Sequence, residues 1–209
     1  MNKYIKYALL VAIAGLLGYK SVYFEKLSTR KKADTGKFDA VAFSKKLWAE
    51  QMPTKLDSAI ALNVLISEIA KSPADAFNKY TNALAVGNYR YALVKTEGVV
   101  TEVKEDEVLL DVTAADSVLH ISVATEFVYG NAIRDASGLV QVKDYPNTAD
   151  LSSISEALNK IIRTEVLPSF KTAVKKGNNI SVVAAVELNR EHIHWQGLEL
   201  LPLRIIIKR

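Results

Sequence analysis

Three histidines are the side chains in this sequence with the clearest potential for chemistry. His192 and His194 are two residues apart, so they share a face if they lie on a strand, where Glu187 or Glu191 would add a carboxylate. A zinc site needs at least three protein ligands, and His120 is too distant in sequence for spacing to include it. The chain has no cysteine, which excludes disulfides and thiolate metal sites. We therefore interpret the histidines as ordinary strand or loop residues, and we expect no bound metal and no cofactor.

Common catalytic motifs are absent. The sequence contains no Gly-rich phosphate loop, no nucleophile elbow and no His-Glu-x-x-His helix. Glu105 and Asp106 are adjacent acids at an expected turn, whereas the acids of a glycosidase pair must face each other across a cleft. We therefore expect no catalytic residues and no enzymatic activity. The alternative is an envelope hydrolase that uses a carboxylate and histidine site outside these motifs.

The distribution of charge argues against nucleic-acid binding. The 209 residues carry a net charge of +4, and much of the positive charge lies close to the first apolar stretch, at Lys3, Lys6, Lys20, Lys26, Arg30, Lys31 and Lys32. Between Glu105 and Ile133 there are six acids and neither lysine nor arginine. A phosphate backbone would be repelled by this segment. The basic residues instead suggest a position next to a membrane.

The N-terminal residues have the pattern of an export signal. A short basic region, Met1 to Lys6, precedes the uncharged run from Tyr7 to Tyr19. We predict a signal-anchor at residues 1–27 that is not cleaved and that holds the protein on the periplasmic side of the bacterial inner membrane. The alternative is cleavage at an Ala-x-Ala site and release into the periplasm. Residues 28–37 are polar and basic, which is typical of a linker.

Residues 38–209 are predicted to form one α+β domain. Helical spacing of apolar residues predicts three helices within residues 38–87, which start near Phe38, Thr54 and Ser72 and end near Gln51, Lys71 and Gly87. From residue 88 onward the pattern becomes strand-like, with one helix at Ser152 to Val166. The strands are predicted at Tyr89 to Val103, Glu107 to Val112, Ser117 to Tyr129, Ile180 to Leu188 and Leu198 to Lys208.

This order of elements favours an OB-like five-stranded antiparallel barrel over residues 88–209, with the N-terminal helices packed against it. The same order also permits an open antiparallel sheet covered by the helices. Periodicity of apolar residues does not distinguish the two architectures.

Three short segments carry a resemblance to a known family. They are Gly130-Asn131-Ala132-Ile133-Arg134-Asp135, then Asp144-Tyr145-Pro146-Asn147, then Ala157-Leu158-Asn159. Together with Gly98-Val99-Val100, their order resembles domain of unknown function 2291, a family of predicted periplasmic lipoproteins. This chain departs from the family pattern at Thr148, where the family has glutamine, and at Tyr19, where the family has the lipid-modified cysteine.

The resemblance implies an exported protein often encoded beside sugar ABC transporter genes. It therefore implies a non-enzymatic accessory or ligand-binding module for carbohydrate transport, whose partners would be the membrane, an ABC transporter component or a carbohydrate, and not nucleic acid. The polar residues at matching positions are Arg134, Asp135, Asn147 and Asn159. They are candidates for ligand binding, and the alternative is that they brace the loop that follows the third strand.

Overall fold

The computed structural model describes residues 3–5, 7, 38–85, 87–114, 117–145 and 147–208. The backbone divides into two units, Met1–Phe38 and Asp39–Arg209, and the account below concerns the second unit. Apart from residues 3–5 and 7, the predicted signal-anchor at 1–27 and the linker at 28–37 lie outside the described residues. Within the described residues, no helix combines the length and the hydropathy needed to cross a membrane.

Within the described residues of the second unit, four helices precede the long strands. Helix α1 (Ala40–Glu50) begins at Asp39, whose carboxylate accepts hydrogen bonds from the backbone N–H groups of Val41 and Ala42. It is followed by α2 (Met52–Asp57), α3 (Leu62–Lys71) and α4 (Pro73–Tyr80).

Two of the predicted helix boundaries in this region are wrong. The single helix expected from Thr54 to Lys71 is interrupted, because Ile60 and Ala61 form a short strand, β1, parallel to the first long strand. The helix expected to end at Gly87 ends at Tyr80, because the backbone of Asn82 pairs with Tyr91 in an isolated antiparallel bridge. In both places, pairing with a strand outweighs the local helical pattern.

Five long strands close into a barrel. They are β2 (Tyr89–Val103), β3 (Glu107–Ala114), β4 (Ser117–Ala124), β5 (Asn179–Asn189) and β6 (Glu199–Lys208). The order is β1-β2-β3-β4-β6-β5, and β2 also pairs with β5, so the five long strands form a ring. The open-sheet alternative is therefore wrong.

The prediction of a five-stranded, wholly antiparallel barrel needs two corrections. The sheet has six strands, since β1 adds a two-residue parallel pairing at the edge of β2. The pairing of β4 with β6 is also parallel. A ring of five strands cannot alternate in direction all the way round, because five is an odd number. One parallel pair is therefore required wherever the ring closes.

The connection from β4 to β5 is largely helical. It contains α5 (Ala132–Ser137), a 3-10 turn (Val142–Asp144), α6 (Thr148–Ile161) and α7 (Leu167–Ala173), with one π-helical stretch (Ile162–Val166) between α6 and α7. The sequence did not predict α5, and the strand predicted to reach Tyr129 ends at Ala124. The helix predicted to start at Ser152 starts four residues earlier, at Thr148.

Two apolar cores result from this arrangement. The barrel core, inside the ring, is made by alternate residues of the strands, such as Leu110, Ile121 and Val182. The outer core lies between the barrel wall and helices α1, α5 and α6, and includes Ile133 and Leu158. Strand β5 contributes to both, because its successive side chains point alternately to the two cores. This double burial explains its continuous apolar sequence.

Candidate functional site

Two glycines bracket the short helix α5. Gly130 and Gly138 have φ angles of +77° and +63°, in the left-handed region that side chains rarely adopt. A Cβ atom at Gly138 would lie 3.1 Å from the side-chain amide nitrogen of Asn82. That nitrogen donates a hydrogen bond to the carbonyl oxygen of Ala136 at 3.2 Å. Helix α5 is thereby fixed against the segment that leads into β2.

Arg134 and Asp135 form a buried ion pair on α5, with side chains only 6% and 4% exposed. The guanidinium Nε and Nη2 each lie 2.7 Å from Oδ1 of Asp135. Nη1 of Arg134 donates to the carbonyl oxygen of Leu151 on α6 at 2.9 Å. Each charge of the pair is compensated by the other, whereas a charge buried without a partner would be costly. The hydrogen bond to Leu151 joins α5 to α6.

The two asparagines of the predicted site have different positions. Asn147 is the N-cap of α6, where its Oδ1 accepts from the N–H of Asp150 at 2.9 Å. Asn159 is buried near the end of α6, and its Nδ2 donates to the carbonyl oxygen of Gly130 at 2.9 Å. Oδ1 of Asn159 has no hydrogen-bond partner among the described residues. Asn147 therefore stabilises the start of α6, and Asn159 holds the end of α6 against the turn before α5.

A cavity of about 440 Å³ lies where α5, the start of α6 and the start of β2 meet. We call it the tyrosine cavity. Its apolar wall is Ala83, Leu84, Ala85, Gly87, Val142 and Leu151. Its polar wall is Tyr89, Tyr91, Asn131, Arg134, Asp135, Thr148 and Ser152. Two of the four predicted site residues, Arg134 and Asp135, line this cavity, whereas Asn147 and Asn159 do not. Thr148, the position of a departure from the family pattern, also lines it.

Sequence reasoning missed the tyrosines and the segment at residues 83–85. Tyr89 and Tyr91 are two residues apart on β2, so they share a face of the strand, and this spacing is a signal that the sequence does contain. Residues 83–85 reach the cavity because Asn82 pairs with Tyr91. No local pattern indicates that pairing.

A second cavity of about 330 Å³, which we call the acidic cavity, adjoins this region. Its wall consists of Phe127, Tyr129, Gly130, Asn131, Ala132, Glu187, Glu199 and Leu201. Phe127 and Tyr129 are 62% and 57% exposed, so their rings are accessible to a ligand. Asn131 belongs to the walls of both cavities.

Two titratable groups in the walls of these cavities have a raised pKa. Burial raises the pKa of the Tyr91 hydroxyl to about 12, and the nearby carboxylate of Glu187 contributes to this rise. Partial burial also raises the pKa of Glu199, and the charges of Glu107 and Glu187 add to the effect. Tyr91 lines the tyrosine cavity, and it stands opposite Glu187 of the acidic cavity in the pairing of β2 with β5.

The histidines are dispersed. His192 and His194 lie in the loop between β5 and β6 and not on a strand, so the shared strand face that a metal site would require does not form. His120 lies on β4, with Nδ1 2.6 Å from a carboxylate oxygen of Asp111. Among the described residues, no group of three His, Asp or Glu side chains is arranged to hold a metal ion. Neither cavity contains a histidine in its wall.

Known structures and families place this architecture in context. No curated protein matches the chain. The fold is similar to that of an OB-fold protein from Thermotoga maritima, with a TM-score of 0.71 and 24% identity over 82% of this chain and 99% of that one. The Stn1–Ten1 complex of S. pombe is a weaker match, with a TM-score of 0.25 and 12% identity over 56% of this chain and 58% of that one. The family described as predicted periplasmic lipoprotein (DUF2291) matches residues 12–206, so this chain belongs to that family.

Proposed function

We propose that this protein is a non-enzymatic, membrane-anchored periplasmic module that binds a carbohydrate in the tyrosine cavity and serves a carbohydrate ABC transporter. The observation that carries the proposal is the composition of the cavity wall, which combines two tyrosines with polar groups of both hydrogen-bonding kinds. Its volume of about 440 Å³ lies within the range of small-molecule sites, about 300–1,000 Å³. Family membership supports the periplasmic location.

The wall suits a neutral ligand with many hydroxyl groups. The charges of Arg134 and Asp135 neutralise each other, so the cavity presents donors and acceptors without a net charge from this pair. Hydroxyls of Thr148 and Ser152 and the amide of Asn131 can each donate and accept. The rings of Tyr89 and Tyr91 offer apolar faces against which the C–H face of a sugar packs.

The four candidate residues receive two roles in this proposal. Arg134 and Asp135 form the part of the polar wall that contacts the ligand. This part is rigid, because the two side chains are held by their ion pair and by the bond from Arg134 to Leu151. Asn147 stabilises the first turn of α6, which carries Thr148, and Asn159 holds α6 against Gly130; neither residue touches the ligand.

The proposed domain organisation places the cavity outside the inner membrane. Residues 1–27 would be the uncleaved anchor, residues 28–37 a basic linker, and residues 38–209 the binding domain, with a transporter component as the partner. Tyr19 supports an anchor made of protein and not of lipid, because it replaces the cysteine that a lipid would modify.

The test is a thermal-shift screen of the full-length protein, purified in mild detergent, against neutral sugars. A ligand at about 100 times its Kd stabilises the native state by about 2.7 kcal/mol, which corresponds to a shift of about 5–10 °C for a domain of this size. Ser152→Trp should abolish the shift by filling the cavity.

The matched control is Ser153→Trp. Both serines are exposed on α6, and each hydroxyl bonds to the carbonyl oxygen four residues earlier, but only Ser152 lines the cavity. Equal responses of the two variants, or no shift with any sugar, would contradict the proposed site. Sugar products released from a bound oligosaccharide, detected by NMR, would contradict the non-enzymatic role and favour the hydrolase.

A further inference from the structure

The acidic cavity has no use in the function proposed so far, yet its composition is distinctive. Among the described residues, its wall contains two carboxylates, Glu187 and Glu199, and no lysine, arginine or histidine. Within the described residues, neither carboxylate forms an ion pair. Arg163, whose guanidinium carbon lies 4.8 Å from the centroid of the Tyr129 ring, is already paired with Glu156 at 2.6 Å.

The aromatic residues of the same wall also favour a positively charged ligand. Phe127 and Tyr129 are among the most exposed large apolar side chains of the domain. An aromatic face attracts a cation through its quadrupole, and a carboxylate attracts it through its charge. A cavity that offers both favours an ammonium group over a hydroxyl group.

The two cavities adjoin. Asn131 stands in both walls. Tyr91 lines the tyrosine cavity, and it stands opposite Glu187 of the acidic cavity in the pairing of β2 with β5.

We propose that the acidic cavity receives the ammonium group of a ligand whose uncharged polyhydroxyl part occupies the tyrosine cavity, so that the ligand is a positively charged amino sugar. This inference rests on the proposed carbohydrate site and adds the class of sugar. The ammonium group would be held by Glu187 and Glu199, and its charge would offset the repulsion between these two carboxylates.

Calorimetric titration of the full-length protein with two matched probes tests the inference. Cellobiose and the chitosan disaccharide have the same rings and linkage, and differ in that the second carries amino groups in place of hydroxyl groups. At mildly acidic pH, where the amines are protonated, we expect the chitosan disaccharide to bind about tenfold more tightly, as for one charge-assisted hydrogen bond.

Variants test whether the two glutamates cause the preference for the chitosan disaccharide. Glu187→Gln and Glu199→Gln should each bring the two affinities close together, while cellobiose binding stays unchanged. The matched control, Glu191→Gln, replaces an exposed glutamate that lines neither cavity and should keep the full preference.

The outcomes separate the two proposals. If both disaccharides bind equally, or if neither glutamine variant alters the preference, the amino-sugar inference is wrong while the carbohydrate site stands. If neither disaccharide binds, the carbohydrate site itself is wrong, and the inference fails with it. A preference that Glu191→Gln removes as well would reflect general surface charge, and it would also overturn the inference.

Discussion

The barrel core and the outer core differ in the types of side chain that are buried in or beside them. The side chains inside the ring are aliphatic or aromatic, such as Leu110 and Ile121. The outer core contains apolar residues as well, but buried polar groups adjoin it on α5 and α6, including the Arg134–Asp135 pair and Asn159. Both cavities open on the side of the outer core. Regular pairing of strands therefore provides the frame, and the buried ion pair lies on the irregular helical connection.

The largest effect should come from breaking the buried ion pair beside the outer core. Arg134→Met leaves the carboxylate of Asp135 buried without its partner, and we expect a loss of about 3–5 kcal/mol in the free energy of unfolding by urea denaturation. The control is Arg204→Met, which breaks an ion pair with Asp57 that is 41% and 68% exposed and should cost about 0–1 kcal/mol.

A double variant sharpens this prediction. Arg134→Met combined with Asp135→Leu removes both charges, so the penalty of an unpaired charge disappears, and the protein should be more stable than with Arg134→Met alone. Sugar binding should still be lost, because the two charged groups of the polar wall of the tyrosine cavity are gone. A double variant that binds normally would show that the pair is only structural.

The barrel core should respond in stability but not in binding. Leu110 is fully buried, and Leu110→Ala should cost about 2–5 kcal/mol through lost burial and the space left behind. Because the residue lies inside the ring and lines neither cavity, sugar affinity at low temperature should stay unchanged. A parallel loss of affinity, measured by calorimetry on the folded variant, would break the distinction between frame and site.

A smaller effect is expected at the cap of α6. Asn147→Ala removes the acceptor for the N–H of Asp150 and should cost about 1 kcal/mol in urea denaturation. Asn147→Ser keeps an acceptor and should recover most of this loss. If alanine and serine behave alike, the cap bond does not stabilise the helix.

The smallest effect concerns Glu199 and pH. Its pKa is raised above 4.5 in the folded protein, so the folded state binds the proton more readily than the unfolded state. Stability from this group is complete below the unfolded pKa and decreases as the pH rises through the folded pKa. The melting temperature of Glu199→Gln relative to the native protein should therefore increase between about pH 4 and pH 7. A constant difference would mean that the pKa is not raised.

These two regions also differ in how far the sequence predicts them. Alternation of apolar residues indicated β2 and β3 to within a few residues, because one face of each strand is buried in the barrel core. The direction of closure was missed, since parallel pairing of β4 with β6 depends on the whole ring. Helix α5 was missed because its six residues are too few for a periodic pattern.

The candidate site was predicted only in part, because it depends on contacts between residues that are far apart in the sequence. The short segments with Arg134 and Asp135 led to the tyrosine cavity, but the sequence does not show that the guanidinium would bond to Leu151 on another helix. The acidic cavity was not predicted at all. Glu187 and Glu199 are separated by the loop between β5 and β6, and only their places on neighbouring strands bring them into one wall.

The ladder between β2 and β5 has a consequence for the time that folding takes. It begins with Tyr89 opposite Asn189, about a hundred residues further along the chain. When such distant segments pair, the intervening chain is closed into a loop and loses entropy before any contact stabilises the pairing. We therefore expect the barrel to fold in milliseconds to seconds and not in microseconds. During that interval Tyr91 has no partner strand and the wall of the tyrosine cavity does not exist. We therefore expect the proposed binding site to be among the last features of the molecule to form.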